Sequence, residues 1–147
     1  METLIRKATI DDVRKLTGLN DKYFHEEGRN WEKLISDNNS EMYVIEKVND
    51  IVGFTGIKIA KWNNTAHIID IFIHPEERRK GYASKFLNKL LTVAREKGVR
   101  TLIAEAPSLN PVLSLYLKSG FRICGYNDRY YSNDGKEAAI FLSYDLK

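Results

Sequence analysis

The feature that most constrains this chain is the run Ala66-His67-Ile68-Ile69-Asp70-Ile71-Phe72-Ile73, followed by Pro75 and then a strongly periodic helix. The run is apolar at both parities. A strand covered on both faces reads this way, and such strands belong to the interior of α/β sheets. Pro75 ends the strand, because proline offers no N–H to a ladder. From about Gly81 onward, Ala83, Phe86, Leu87, Leu90, Leu91 and Ala94 recur at helical spacing, and Gly98 stops the pattern.

The flanking elements are set by the same local rules. Glu2 to Ala8 reads as a strand, and Thr9 with Asp12 resembles a capping box opening a helix that runs to about Glu27. Trp31 to Ser36 predicts a second short helix. Strands are expected at Glu41–Val48 and Ile51–Ala60, with Asn49-Asp50 as the tight turn between them. Val99–Ala106 is the next strand, and Pro111 suits the first turn of a helix that Gly120 ends. Two last strands, about Phe121–Asp128 and Glu137–Asp145, are joined through Ser132-Asn133-Asp134-Gly135. The order β-α-α-β-β-β-α-β-α-β-β predicts an α/β fold, one mixed central sheet flanked by helices, in a single domain over residues 1–147.

Composition narrows the function classes. A hydrophobic fraction of 43% with 29% charged residues fits a soluble globular domain. No apolar run approaches the ~20 residues of a membrane span, and the first residues lack the apolar stretch of a secretory signal. One cysteine, Cys124, excludes an internal disulfide framework and a cysteine-rich metal site, so a reducing cytoplasm is the expected setting. Cys124 itself reads as a small core residue. A net charge of +3 without a broad basic stripe argues against nucleic acid as a partner. No membrane partner and no metal are expected, and a homodimer stays open beside a monomer.

Between strand and helix lies Arg78-Arg79-Lys80-Gly81-Tyr82-Ala83. The first N–H groups of a helix have no internal partners and carry the positive end of its dipole. Gly81 and Ala83 leave room for an anion to approach the backbone, and three cations add charge, which is the logic of a phosphate site. The bland alternative is a solvated basic helix start.

The wider context, Ile71-Phe72-Ile73-His74-Pro75-Glu76-Glu77-Arg78-Arg79-Lys80-Gly81-Tyr82-Ala83, closely resembles the signature of the GNAT acetyltransferases, a strand leading into P-x-x-R-x-x-G-x-[GA]. Tyr116-Leu117-Lys118-Ser119-Gly120-Phe121 is similar to that family's Y-x-x-x-G-F, and Ile5-Arg6-Lys7-Ala8-Thr9-Ile10-Asp11-Asp12 resembles a common GNAT opening. One departure is that the Asn seven residues before the tyrosine is replaced by Leu109, with Asn110 one place later.

The resemblance implies acetyl-CoA as cosubstrate and direct transfer of its acetyl group to a primary amine. It implies that Arg78, Arg79, Lys80, Gly81, Tyr82, Ala83 and Ser84 hold the pyrophosphate. The strand Ile71-Phe72-Ile73 would pair with the pantetheine arm and polarise the thioester carbonyl, and Asn110 would contact the cofactor. Tyr116, at the family's tyrosine position, would protonate the leaving thiolate, unless it is a core aromatic. His67 and Glu105 compete as base for the amine, and Asp70 is a candidate to hold the acceptor's ammonium group. His25 and His74 are assigned no catalytic part.

For the acceptor, His67-Ile68 and Arg129-Tyr130-Tyr131 with Asp134-Gly135-Lys136-Glu137-Ala138 resemble N-terminal acetyltransferases of the ribosomal-protein-alanine type. Tyr130 and Tyr131 would then line the site of the peptide's N-terminus. Asp70-Ile71 and the C-terminal strand are instead similar to small-amine acetyltransferases such as the streptothricin type. A degenerate, non-catalytic CoA-binding sensor or interaction module is the alternative of another class.

Overall fold

The computed structural model describes residues 3–24 and 28–147. Its elements are β1 (Thr3–Lys7), α1 (Val13–Leu19), α2 (Trp31–Ser36), β2 (Ser40–Lys47), β3 (Asp50–Ala60), β4 (Thr65–Ile73), α3 (Tyr82–Glu96), β5 (Thr101–Pro107), α4 (Val112–Lys118), β6 (Arg122–Asn127) and β7 (Ala139–Asp145). A 3₁₀ turn, Ile10–Asp12, leads into α1, and a π turn, Asn20–Phe24, succeeds it. The order is the one expected. The expected start of the first strand at Glu2 and end of the first helix at Glu27, with His25, lie outside the described residues.

Seven strands form one mixed sheet in the order β1-β2-β3-β4-β5-β7-β6. The chain divides into two compact units. The first takes residues up to Lys58 together with Ile69–Phe86; the second takes Ile59–Ile68 and Leu87–Lys147.

In the first unit β1, β2 and β3 pair antiparallel. Leu16 and Leu19 of α1, Trp31 of α2, Val44, Phe54 and Phe72 form its core. The Trp31 ring meets Phe54 edge-on at 4.9 Å, and Phe54 stacks on Phe72 at 5.1 Å. The opening of the first helical segment is fixed as the sequence predicts. The Asp12 carboxylate accepts the Thr9 N–H at 2.8 Å. It also accepts both ends of the Arg6 guanidinium, at 2.8 and 2.9 Å. That fork, with the Thr9 amide, holds the Asp12 carboxyl below the usual carboxylate range against the opposing effect of burial.

In the second unit the first residues of β4 run parallel to β5, with His67 opposite Ile103. β7 lies antiparallel between β5 and β6. Leu102, Ala104 and Ala106 are buried on one face of β5, so Ile103 and Glu105 lie on the other.

Two expectations need correction. The turn between β2 and β3 is centred on Val48 and Asn49, both at positive φ, because Lys47 pairs with Asp50. A register shift beside Ile45 and Glu46 moves the hairpin tip one residue back from Asn49-Asp50. The last pairing of β6 with β7 is Asn127 with Ala139, so residues 128–138 form a long connection, with the expected turn at Asn133-Asp134 inside it. Cys124 is exposed, not core: β6 is the edge strand, and the thiol accepts the Ser143 hydroxyl at 3.4 Å.

Candidate functional site

The loop between β4 and α3 belongs to the first unit. Pro75–Glu77 makes a 3₁₀ turn, Arg78 is extended, and Arg79 and Gly81 both take left-handed backbone, at φ 63° and 83°. The first helical bond of α3 runs from the Lys85 N–H to the Gly81 carbonyl at 3.1 Å. Gly81 therefore stands where a cap would, with no side chain to accept the N–H groups of Ala83 and Ser84. A Cβ built on Gly81 would meet nothing within 4 Å, so the space beside this residue is open. An opening at a helix start fits a phosphate group.

The expected cations act partly inside the protein. Arg78 Nε donates to the Ile73 carbonyl at 2.9 Å. Lys80 lies 2.8 Å from the Glu77 carboxylate, which also takes Lys47 at 2.9 Å. Glu77 is accordingly held below the usual carboxylate range, by Lys80 first and then Lys47, and Lys80 is raised in return. These contacts shape the loop as well as charge it. Tyr82 turns its ring inward and is buried, leaving its backbone to the loop.

Upstream, Phe72 and Ile73 are buried and Ile71 is half-buried. Ile69 and Phe72, three residues apart, both pack on the same cluster. Strict alternation would place them on opposite faces. The parity of β4 therefore shifts between them, and the Asp70 carbonyl there accepts the Thr55 hydroxyl at 2.5 Å. A regular strand would put residues 67, 69, 71 and 73 on one face, and this shift breaks that alternation. The Asp70 carboxylate is bound by the Arg29 guanidinium, and the two side chains are only 21% and 9% exposed. Arg29, which also lies over the Trp31 ring, carried no signal in the sequence: its loop contains no motif, and its partner is far away in the chain. An acceptor ammonium at Asp70 would have to compete with this ion pair.

The second unit holds the other candidates. His67 and Glu105 are both exposed. His67 pairs with Ile103, two residues before Glu105, so both candidate bases lie on one face of the strands. The connection 128–138 reaches the same region. Ala138 N–H donates to the Ser108 hydroxyl at 2.9 Å, and Leu109 N–H to the Glu137 carboxylate at 3.3 Å. Tyr130 and Tyr131 meet edge-on at 5.1 Å, and the Tyr130 ring lies 6.5 Å from Phe141, the pairing partner of Glu105. Burial pushes the Tyr131 phenol up to about 12, and the neighbouring Glu105 carboxylate adds to the shift. Glu137 contributes to it too and is a member of this group that sequence reading noticed only within a family motif.

Tyr116 lies elsewhere in that unit. It is 3% exposed and packs 5.1 Å from Phe121, which lies 5.3 Å from Tyr144. Tyr144 pairs with Leu102, on the buried face. The Tyr116 ring is held by its packing on Phe121. Asn110 is exposed, and its Oδ1 accepts the Val112 N–H at 2.9 Å just before α4. Its amide nitrogen and the second lone pair of Oδ1 are left for a cofactor. Among the described residues no group of three or more His, Cys, Asp or Glu side chains could hold a metal ion. No helix among them is long and apolar enough to cross a membrane.

The family model of the acetyltransferase (GNAT) family matches residues 8–121. The chain belongs to this family. Acetyl-CoA-dependent N-acetyl transfer is thus its class of chemistry. The streptothricin acetyltransferase of Streptomyces lavendulae is 30% identical over 97 residues, 64% of this chain and 51% of that protein. The chain thus spans about half of that relative's length. The ribosomal-protein-bS18-alanine N-acetyltransferase of Haemophilus influenzae is 30% identical over 114 residues, 74% of this chain and 77% of that protein. A solved acetyl-coenzyme A complex from Bacillus anthracis str. Ames superposes with a TM-score of 0.81 at 22% identity, covering 100% of both chains. Acetyl-CoA is the cosubstrate of this family's acetyl transfer. The open backbone above Gly81 fits the pyrophosphate of that molecule.

Proposed function

We propose that this GNAT chain acts as one domain over residues 1–147 and acetylates a primary amine at the N-terminus of a peptide or protein. When bound, acetyl-CoA supplies an activated acetyl thioester. The chain's own residues must orient it, receive the amine and accept its proton. Amides of the loop from Arg79 to Ser84 bind the pyrophosphate, and the backbone of Ile71–Ile73 orients the arm. Tyr116 protonates the leaving thiolate.

The observation that carries the acceptor reading is the grouping of Glu105 with Tyr131, Tyr130 and Glu137 on an accessible surface. Its carboxylates attract an ammonium group, and its rings offer apolar area to the first residues of a peptide. Tyr131, raised to about 12, stays a neutral O–H donor beside Glu105. A carboxylate is a weak base, so it suits an ammonium group that gives up its proton easily. An α-amino group has a pKa of ~7.7–8.0 against ~10.4 for a lysine-like amine, a difference of about 3.4 kcal/mol in the cost of deprotonation. We therefore assign proton acceptance to Glu105, with His67 as the rival on the same face. The Arg29–Asp70 ion pair weakens the case for Asp70 as the ammonium site. Likeness to a streptothricin acetyltransferase keeps a small-molecule amine as the second reading. A reducing cytoplasm suits the exposed thiol of Cys124.

The test is CoA release measured against peptides with free N-termini, polyamines and other small amines. The productive class is then used to measure kcat/KM against pH. Peptides should be preferred, and Glu105→Gln should lower kcat/KM by roughly 10²-fold or more while His67→Ala changes little. Turnover confined to small amines would overturn the acceptor assignment. A pH profile changed only by His67→Ala would move the base to His67. No release with any amine would leave a non-catalytic CoA-binding module.

A further inference from the structure

We infer that His74 is a positioning residue for the cofactor loop: wedged between Tyr23 and the Glu76 amide, it fixes the backbone from which the pyrophosphate-binding amides project. The inference rests on the assignment of the loop 78–84 to the pyrophosphate.

The hydrogen bonds define the protonation state. His74 Nδ1 lies 3.1 Å from the Glu76 backbone nitrogen. An amide only donates, so Nδ1 must present a lone pair. The ring hydrogen is then on Nε2, which lies 3.0 Å from the Tyr23 hydroxyl and donates to it. The two rings also meet edge-on, 5.1 Å apart. The His74 backbone is pinned as firmly. Its N–H donates to the Val52 carbonyl and its carbonyl accepts the Glu77 N–H, both at 2.8 Å.

His74 is thus the hinge point at which β4 becomes the turn Pro75–Glu77, and its side chain caps that turn. The conformation of residues 77–81 depends on the turn. Glu77 receives Lys47 and Lys80, and Arg79 is held in left-handed backbone, a conformation that a non-glycine residue keeps only when its surroundings over-determine it. A fixed loop presents its amides without an ordering cost at the moment of binding.

Protonation reverses the geometry at one atom. An imidazolium carries hydrogen on both nitrogens, so Nδ1–H would face the Glu76 N–H and the cap would be lost. Across the groove beside His74 the titratable groups are Asp11, Arg14, Lys15, Lys22 and Tyr23 from the first helical segment and Asp50 from the β2–β3 turn. Lys15 pairs with Asp50 at 2.8 Å. Glu76 and Glu77 flank the ring on its own turn, with Glu77 committed to its two lysines. These charges are mixed, and among the described residues the ring's hydrogen bonds go to the Tyr23 hydroxyl and the Glu76 amide, not to a carboxylate. His74 touches neither cosubstrate nor acceptor in this scheme, so its effect should appear in acetyl-CoA affinity.

Calorimetric titration of acetyl-CoA into wild type, His74→Ala and His74→Asn tests this. Asn offers Oδ1 where the ring offers Nδ1, and it accepts at any pH. Near neutral pH His74→Ala should weaken binding about fivefold, the equivalent of the ~1 kcal/mol commonly lost with a cap, whereas His74→Asn stays within about twofold of wild type. Unchanged affinity in His74→Ala, or affinity in His74→Asn as weak as in His74→Ala, would overturn the inference. Gly81→Val separates it from its premise. If that variant keeps its affinity, the loop assignment fails; if it loses affinity while His74→Ala does not, only the role of His74 fails.

Discussion

Replacing Gly81 tests the cosubstrate loop at the point where the structure gives the clearest expectation. Gly81 has φ 83°, and an added Cβ would meet no protein atom within 4 Å. Gly81→Val therefore incurs backbone strain without a clash. Left-handed backbone costs a non-glycine residue about 1–2 kcal/mol. At roughly 4 °C per kcal/mol for a chain of this size, the melting midpoint should drop by about 4–8 °C. Against a typical total of about 5–15 kcal/mol, the variant remains folded. Its new methyl groups fill the space through which a phosphate must reach the amides of α3. Acetyl-CoA at about 100 times its Kd stabilises a binding-competent protein by about 2.7 kcal/mol. That corresponds to a wild-type rise in Tm of roughly 10 °C. Thermal unfolding with and without acetyl-CoA should show this rise in wild type and almost none in Gly81→Val. Gly81→Ala, with the same backbone cost and a smaller obstruction, should fall between. A folded Gly81→Val protein that keeps the full ligand-induced rise would refute the placement of the pyrophosphate.

Two other outcomes rest on specific contacts. Tyr116→Phe preserves the ring that packs on Phe121, so acetyl-CoA affinity should persist in calorimetry while single-turnover acetyl transfer slows by ~10²–10⁴-fold; unchanged chemistry would leave Tyr116 a packing residue. Asp12 has a carboxyl lowered first by its hydrogen bonds to Arg6, so its contribution is present above the unfolded carboxylate pKa and is lost as pH falls toward the lowered value. Asp12→Asn should therefore cost about 1.5–3 kcal/mol in urea unfolding near pH 7, and the gap to wild type should shrink below about pH 4. A gap independent of pH would show that the charge on Asp12 is immaterial.

Local chemistry made much of this protein legible from its sequence. The order of strands and helices is set by hydrophobic period and by Gly and Pro punctuation, and both act over a few residues. The capping of the first helical segment by Thr9 and Asp12 was legible for the same reason. So were the glycine break at Gly81 and the helix start at Tyr82, because both are local features of the chain.

Tertiary structure decided which side chains are available for function. Asp70 looked open to an acceptor until Arg29, forty-one residues away, closed on its carboxylate. Strand order placed β7 between β5 and β6, which left β6 at the edge and exposed Cys124. The shift of parity in β4 depends on packing around Phe72 and on the Thr55 hydroxyl, neither of which the strand itself encodes. The long connection 128–138 brought Tyr131 to Glu105, and the fold brought Tyr23 to His74 across fifty-one residues. A residue's period is written in its neighbours along the chain, but its charge partner, exposure and protonation state are set by neighbours in space, which local sequence rules do not reach.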